Sequence, residues 1–402
     1  MTGPTGHAAG PPRGGPLAGV RVLDLCPLAP GQFTTMLLGD LGADVVTVEA
    51  PPSAREGSRI ALPGHGGAQA RRDGTNPLYR SRRSIMLNLK TPGGLDVARR
   101  LAAESDVFVE GFRPGVCERL GLGYPTLSAD NPGLVYCSLT GYGQTGELAQ
   151  HAGHDLNYVA ESGLLSATTR PGQRPGIPIN IAADYAGGGL MAAFGILAAL
   201  QGRGATGRGS HVDVSMYEGL LGLMQVVPAW LAAGAPDPSW GGGLLSGACP
   251  FYDCYQTADG RWISVGAMEP KFYLNLCLAL GHPDLVDAHQ DTSRWDEVRE
   301  AFTATFATAS LDEWLKRLAE VDTAVAPVAS VAEAFETAHQ RGLMPAPGRF
   351  GAIPRLSGWR AEPGPVVTHA GAHTREVLGQ LGLGSDAIDC LISTGAAEEA
   401  PK

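Results

Sequence analysis

One short stretch near the start of the chain narrows the fold more than any other feature. Val20-Arg21-Val22-Leu23-Asp24-Leu25 is β-rich, Gly31 to Leu41 carries helical apolar spacing, and Ala43-Asp44-Val45-Val46-Thr47-Val48 is a second strand. Strand, helix and strand within about thirty residues make a βαβ unit, which implies a parallel sheet. The alternation continues with a strand at Ser84 to Leu89, a helix at Gly93 to Glu104, and strands at Asp106 to Glu110 and Leu134 to Leu139. Strands that are apolar almost throughout suit a sheet covered on both faces. The expected class is α/β.

Farther on, Ala186 to Leu200 reads as a buried helix, His211 to Val214 as a short strand, and a further helix starts at Tyr217. Character changes near Trp230. Phe251 to Gln256 and Trp262 to Val265 flank Ala258-Asp259-Gly260, a hairpin signature. That hairpin and the helices after it predict a smaller α+β domain. The expected division is a disordered tail at 1–16, a large domain at 17–229, a small domain at 230–328, and a segment at 329–402 returning to the large domain. In that last segment a helix at Thr374 to Leu381 precedes an acidic, weakly structured end. No apolar run reaches membrane-spanning length, Leu190 to Leu200 being too short, so no membrane partner is expected.

The net charge of −10 argues against a nucleic-acid partner. Positive charge is concentrated instead in Arg71, Arg72, Arg80, Arg82, Arg83 and Lys90. Such a run is either a solvated surface or a seat for a small polyanion. The seven cysteines have no CxxC spacing, suggest no metal site, and fit reduced thiols in a cytoplasmic protein. The Gly/Pro-rich start, Met1 to Pro16, has no apolar core for a secretory signal.

Gly141-Tyr142-Gly143-Gln144-Thr145-Gly146 has dinucleotide-fingerprint spacing after a strand, but no helix and second strand follow at the needed distance. A shaped loop is the better reading. Three other places set titratable residues against the local pattern. Gly153-His154-Asp155 precedes a helix, where Asp155 serves as a cap or His154 as a proton carrier. Asp184 opens an apolar helix as an N-cap would, yet three glycines follow it. Glycines there lower helix stability and make sense where a backbone or ligand comes close. Glu269 stands before Pro270 at a helix start, answering the helix dipole or serving chemistry.

At these residues the chain resembles the α-methylacyl-CoA racemases of the class III CoA-transferase superfamily, from about Leu17 to Val328. The resemblance is carried by Leu37-Leu38-Gly39-Asp40-Leu41-Gly42-Ala43-Asp44-Val45-Val46, Glu110-Gly111-Phe112-Arg113-Pro114-Gly115-Val116 and the Gly141 to Gly146 loop. It extends through Gly153-His154-Asp155, Ala183-Asp184-Tyr185-Ala186-Gly187-Gly188-Gly189, Gly207-Arg208-Gly209 and Val265-Gly266-Ala267-Met268-Glu269-Pro270-Lys271-Phe272-Tyr273. It implies a doubly wound sheet in the large domain, a small domain after it, and an interlocked homodimer. It also implies an acyl-CoA substrate, with no cofactor beyond the CoA moiety.

By resemblance, His154, Asp155, Asp184 and Glu269 are the catalytic residues, with Glu269 facing His154 and Asp184 of the partner subunit. Transferases of the superfamily share Asp184, there a nucleophile, but generally lack the Gly-His-Asp and Glu-Pro pairs. The chemistry agrees, since inversion needs a base on one face of the α-carbon and an acid on the other. Backbone N–H groups near Asp155, at a helix start, would face the thioester oxygen. Resemblance and charge assign Arg80, Arg82, Arg83 and Arg113, with Lys90, to CoA. The chain departs from the family at Leu244-Leu245-Ser246-Gly247-Ala248-Cys249-Pro250, where an acid and a glycine are missing. Asp322-Thr323-Ala324-Val325-Ala326-Pro327-Val328 lacks the family's cysteine, and the insert at 57–75 is longer. Glu49-Ala50-Pro51 stands where an Arg often meets adenine.

Overall fold

A computed structural model of the 402-residue chain describes residues 14–52, 67–344, 350–357, 359 and 362–401. Residues 1–13 of the expected tail and 57–66 of the insert lie outside the described residues. Two compact units are present, one of Met1–Tyr158, Ile179–Leu223 and His339–Lys402, the other of Val159–Pro178 and Met224–Ala338. The smaller unit thus takes in residues 159–178, which the linear division assigns to the large domain.

The larger unit is built on seven strands: β1 (Arg21–Asp24), β2 (Asp44–Glu49), β3 (Arg83–Leu87), β4 (Val107–Glu110), β5 (Val135–Thr140), β6 (His211–Ser215) and β10 (Ala397–Glu398). Their order is β10-β3-β2-β1-β4-β5-β6. All neighbours are parallel except β10, which runs antiparallel to β3. Strand order reverses between β1 and β4, as in a doubly wound sheet, a fold that takes its ligands in the crevice outside the carboxyl ends of the strands at such a point. The apolar strand residues drive this arrangement. Leu23, Ile85, Phe108 and Tyr136 are fully buried, and helix Pro92–Ala103 adds Val97 and Leu101 to the same core.

The end of the chain corrects the expectation of a weakly structured tail. Helices Thr374–Gln380 and Ser385–Ser393 precede β10, and Val377, Leu378 and Ile388 enter the main core. Thr374 Oγ1 donates to the Glu398 carbonyl at 2.8 Å, and Arg375 pairs with Asp389 and Glu399, both at 2.7 Å. Acidic residues that look like a solvated end are tied down by one arginine.

The expected buried helix at 186–200 is longer and less covered. A π-helical stretch, Ile181–Leu190, runs into the α-helix Met191–Thr206. Together these 26 residues are apolar and long enough to cross a membrane by length and composition, which corrects the shorter run read from sequence. The glycine face is the packed one. A Cβ on Gly189 would stand 2.8 Å from the Pro30 carbonyl oxygen, and one on Gly187 would stand 2.8 Å from that of Met216. Gly187 and Gly189 therefore admit neighbouring backbones and Gly188 the Met216 side chain, while Leu190 and Phe194 on another face stay exposed. Gly189→Ala should lower stability by about 1–3 kcal/mol through overpacking, read as a lower urea midpoint at unchanged slope.

In the smaller unit, β7 (Tyr252–Gln256), β8 (Trp262–Gly266) and β9 (Val325–Pro327) form an antiparallel sheet. Gly260 closes the β7–β8 hairpin at φ 75°, a conformation that glycine takes without strain. Phe251, Tyr255, Tyr273, Phe302, Phe306 and Trp314 fill the core. Helix Leu311–Leu318 starts on a reciprocal Ser310–Glu313 capping box. Arg170 and Arg299 both pair with Asp253 and both donate to the Gly247 carbonyl, which fastens residues 159–178 and the 244–250 loop to this unit. In that loop Ser246 Oγ accepts from Gly243 N at 2.9 Å and donates to the Pro238 carbonyl at 2.9 Å.

Candidate active site

The loop after β5 carries no dinucleotide fold. Residues 141–154 form no helix, and the next helix is Asp155–Glu161. The flanking glycines seat one ring: a Cβ on Gly141 would meet Tyr158 Oη at 2.3 Å, and one on Gly153 would meet its Cε1 at 2.6 Å. Tyr158 packing thus fixes the approach to His154, a contribution that sequence spacing does not reveal. The His154 carbonyl accepts from Asn157 N at 2.8 Å, and Asn157 Oδ1 accepts from His154 N at 3.0 Å. Both bonds engage the His154 backbone, and the residue as a whole is exposed.

Asp155 is buried beside it. Its Oδ2 accepts from Ala183 N and from Asp184 N, each at 2.8 Å. Asp155 is therefore a cap, as its residue type suggests, but for the first turn of the Ile181 helix rather than for its own. This clamp draws His154 and Asp184 into one site. Asp184 lies inside the first turn, with Asn180 as the N-cap, so the N-cap reading of Asp184 is corrected. Asn180 Nδ2 donates to Asp184 Oδ2 at 3.0 Å.

Burial pushes the Asp184 carboxyl above the ordinary carboxylate range, and the nearby Asp155 charge adds to that push; the Asn180 amide and the neighbouring His154 oppose it. Within this chain the rise comes first from desolvation. Glu269 itself is exposed in the smaller unit, at the N-cap of helix Pro270–Leu280, and its side chain makes no capping bond.

The arginines divide sharply, and most need correction. Arg80 is buried and paired with Asp40 at 2.5 Å, and it also donates to the Phe350 carbonyl. Arg82 is buried and paired with Asp24 at 3.1 Å, with further bonds to Thr47 Oγ1 and the Gln32 carbonyl. Arg83 joins Asp44, Glu376 and Gln380 at the amino end of β3, away from the crevice. These three guanidinium groups hold the large unit together, so the phosphate role given to them by charge is replaced by a structural one. Arg113 follows the carboxyl end of β4 and is exposed, and exposed Lys90 follows that of β3. Arg71, from helix Gly67–Arg72, is bidentate to Glu49 at 2.7 and 2.9 Å and lies 3.9 Å over the Tyr79 ring. A guanidinium from another segment thus reaches the carboxyl end of β2.

Residues 17–344 match CoA-transferase family III. The α-methylacyl-CoA racemase of Homo sapiens is 36% identical over 92% of this chain and 95% of its own length. A succinyl-CoA:glutarate CoA-transferase of Mus musculus is 32% identical over 96% of this chain and 91% of its own. The crystal structure of a CaiB/BaiF family protein from Brucella suis superposes with a TM-score of 0.73 at 27% identity, covering 92% of this chain and 100% of that one. With the sheet order, the histidine–aspartate site and a match over most of its length in hand, the chain belongs to CoA-transferase family III.

Proposed function

We propose that the protein inverts the α-carbon of 2-methylacyl-CoA thioesters by two-base proton transfer, with no cofactor beyond the CoA moiety of its substrate. One observation carries the reading: Asp155 binds the N–H groups at Ala183 and Asp184, which joins His154 to a carboxyl of raised proton affinity. One of these groups removes the α-proton, the electron pair moves into an enolate, and the group on the opposite face returns a proton. The similarity to the human racemase and the chain's own Gly153-His154-Asp155 and Glu269-Pro270 support this direction. Backbone N–H groups at the Asp155 helix start would stabilise the enolate oxygen. Arg113 and Lys90, at the carboxyl edge of the sheet, suit the CoA phosphates.

The working form is a homodimer in which Glu269 of the partner subunit completes the site. Exposed Ile181, Leu190 and Phe194 supply apolar surface of the kind a second copy would cover. Incubation with a 2-methylacyl-CoA in D₂O should give α-deuteration by mass spectrometry and loss of optical purity. His154→Ala should reduce that exchange by about 10²–10⁴. Near-normal exchange in the variant would remove the assignment.

A second reading is a CoA transferase with Asp184 as nucleophile, favoured by the similarity to the mouse transferase. Hydroxylamine or borohydride trapping at Asp184 during turnover, without α-deuteration, would select it.

A further inference from the structure

Glu269 stands at the end of an unusual support. Its own carbonyl accepts from Tyr273 N at 3.0 Å, as the first bond of helix Pro270–Leu280. The preceding residue, Met268, turns tightly, with its N–H bonded to the Gly266 carbonyl at 3.0 Å. Its carbonyl is met by His289 Nε2 at 3.0 Å. A carbonyl oxygen only accepts, so Nε2 carries the proton and donates. The imidazole has little freedom to do otherwise. Its ring is stacked on Tyr273 at 4.6 Å between centroids and lies 4.5 Å from the Phe251 ring. Trp295 Nε1 donates to the His289 carbonyl at 3.3 Å, which holds the backbone as well.

A histidine in an aromatic core is commonly just a filled position. Here the ring's one polar contact among the described residues falls on the peptide that links Met268 to Glu269. We infer that His289 is a positioning residue for Glu269, an inference that rests on the catalytic reading of Glu269 above. The two groups are twenty residues apart in sequence (269 and 289). Loss of the donor frees the 268–269 peptide to rotate, and a misplacement near 1 Å reduces proton transfer by as much as about a hundredfold.

The test uses the full-length protein and each enantiomer of a 2-methylacyl-CoA in D₂O, with washout of the α-proton followed separately. His289→Phe keeps a ring against Tyr273 and removes the donor. The variant should keep its circular-dichroism spectrum and KM. Washout should fall about ten- to a hundredfold for the one enantiomer whose proton faces the carboxylates, while the enantiomer facing His154 exchanges almost normally. His289→Gln, which retains a donor, should restore most of the loss. Unchanged washout of both enantiomers by folded H289F overturns the inference, as does an equal fall for both with a raised KM. Should H289F not fold, His289→Asn against H289Q gives the same comparison, since the shorter amide reaches less far. Glu269→Gln in parallel separates the two possible failures. If E269Q loses one enantiomer's washout and H289F does not, only the positioning role is wrong. If E269Q loses neither, the catalytic reading of Glu269 and this inference fall together.

Discussion

Asp184→Asn should sharply lower α-proton exchange of the enantiomer whose proton faces the carboxylates and at the same time raise the melting temperature at neutral pH. The two effects share a cause. Burial raises the Asp184 carboxyl's proton affinity in the folded chain, and Asp155 raises it further. A carboxyl whose folded pKa lies above its unfolded value binds more protons folded than unfolded within that window. Stability therefore falls as pH rises through the window, and the whole penalty is present above it. Asparagine imitates the protonated form without the charge and can still accept from Asn180. The variant's advantage should be fully expressed near pH 7 and shrink as the pH drops toward ordinary carboxylate values. Exchange of that enantiomer should drop by about 10²–10⁴, since the amide cannot shuttle a proton. Melting curves at several pH values with deuteration assays on the same samples would check both halves. A D184N protein less stable than the parent at neutral pH would mean that the buried charge is compensated rather than tolerated.

The parts of this architecture legible in the sequence are those written in short-range periodicity. β1, helix Ala29–Asp40 and β2 announce themselves because a buried parallel strand must be apolar throughout and a helix only on its buried face. The β7–β8 hairpin is equally local, fixed by Asp259-Gly260. What the sequence hides is pairing across long separations. Asp155 reaches the N–H groups of Ala183 and Asp184, 28 and 29 residues on, so its capping role looks local and is not. β10 is two residues long and is recognised only by its partner β3. The glycines at 187–189 point to a close approach, but nothing nearby in sequence names Pro30 and Met216 as the neighbours.

The arginine run is the clearest example of this limit. Sequence displays the cations and conceals the acids that meet them, which are 58 residues away for Arg82 and 40 for Arg80. Physical chemistry then decides between a ligand role and a structural one through burial, because a buried cation must be paired.

Arg82→Met should reduce stability by about 3–5 kcal/mol while leaving residual folded protein able to bind CoA. Burial is the largest influence on both members of its pair, raising the Asp24 carboxyl's proton affinity and lowering that of the Arg82 guanidinium. Each charge is thus held against desolvation by the other, aided by Cys26 N, Thr35 Oγ1 and Thr47 Oγ1 on the Asp24 side. Removing only the arginine leaves an uncompensated carboxylate beneath the crevice. Removing both charges, as in Asp24→Asn with Arg82→Met, should recover much of the loss, because a buried pair contributes little net stability. The single variant should also lose less at acid pH, where Asp24 can take up a proton. Urea unfolding of the three variants at two pH values, with CoA titration of the folded fraction, separates this account from the phosphate-binding one. A phosphate-contacting Arg82 would weaken CoA binding and spare stability, whereas the interior pair does the reverse.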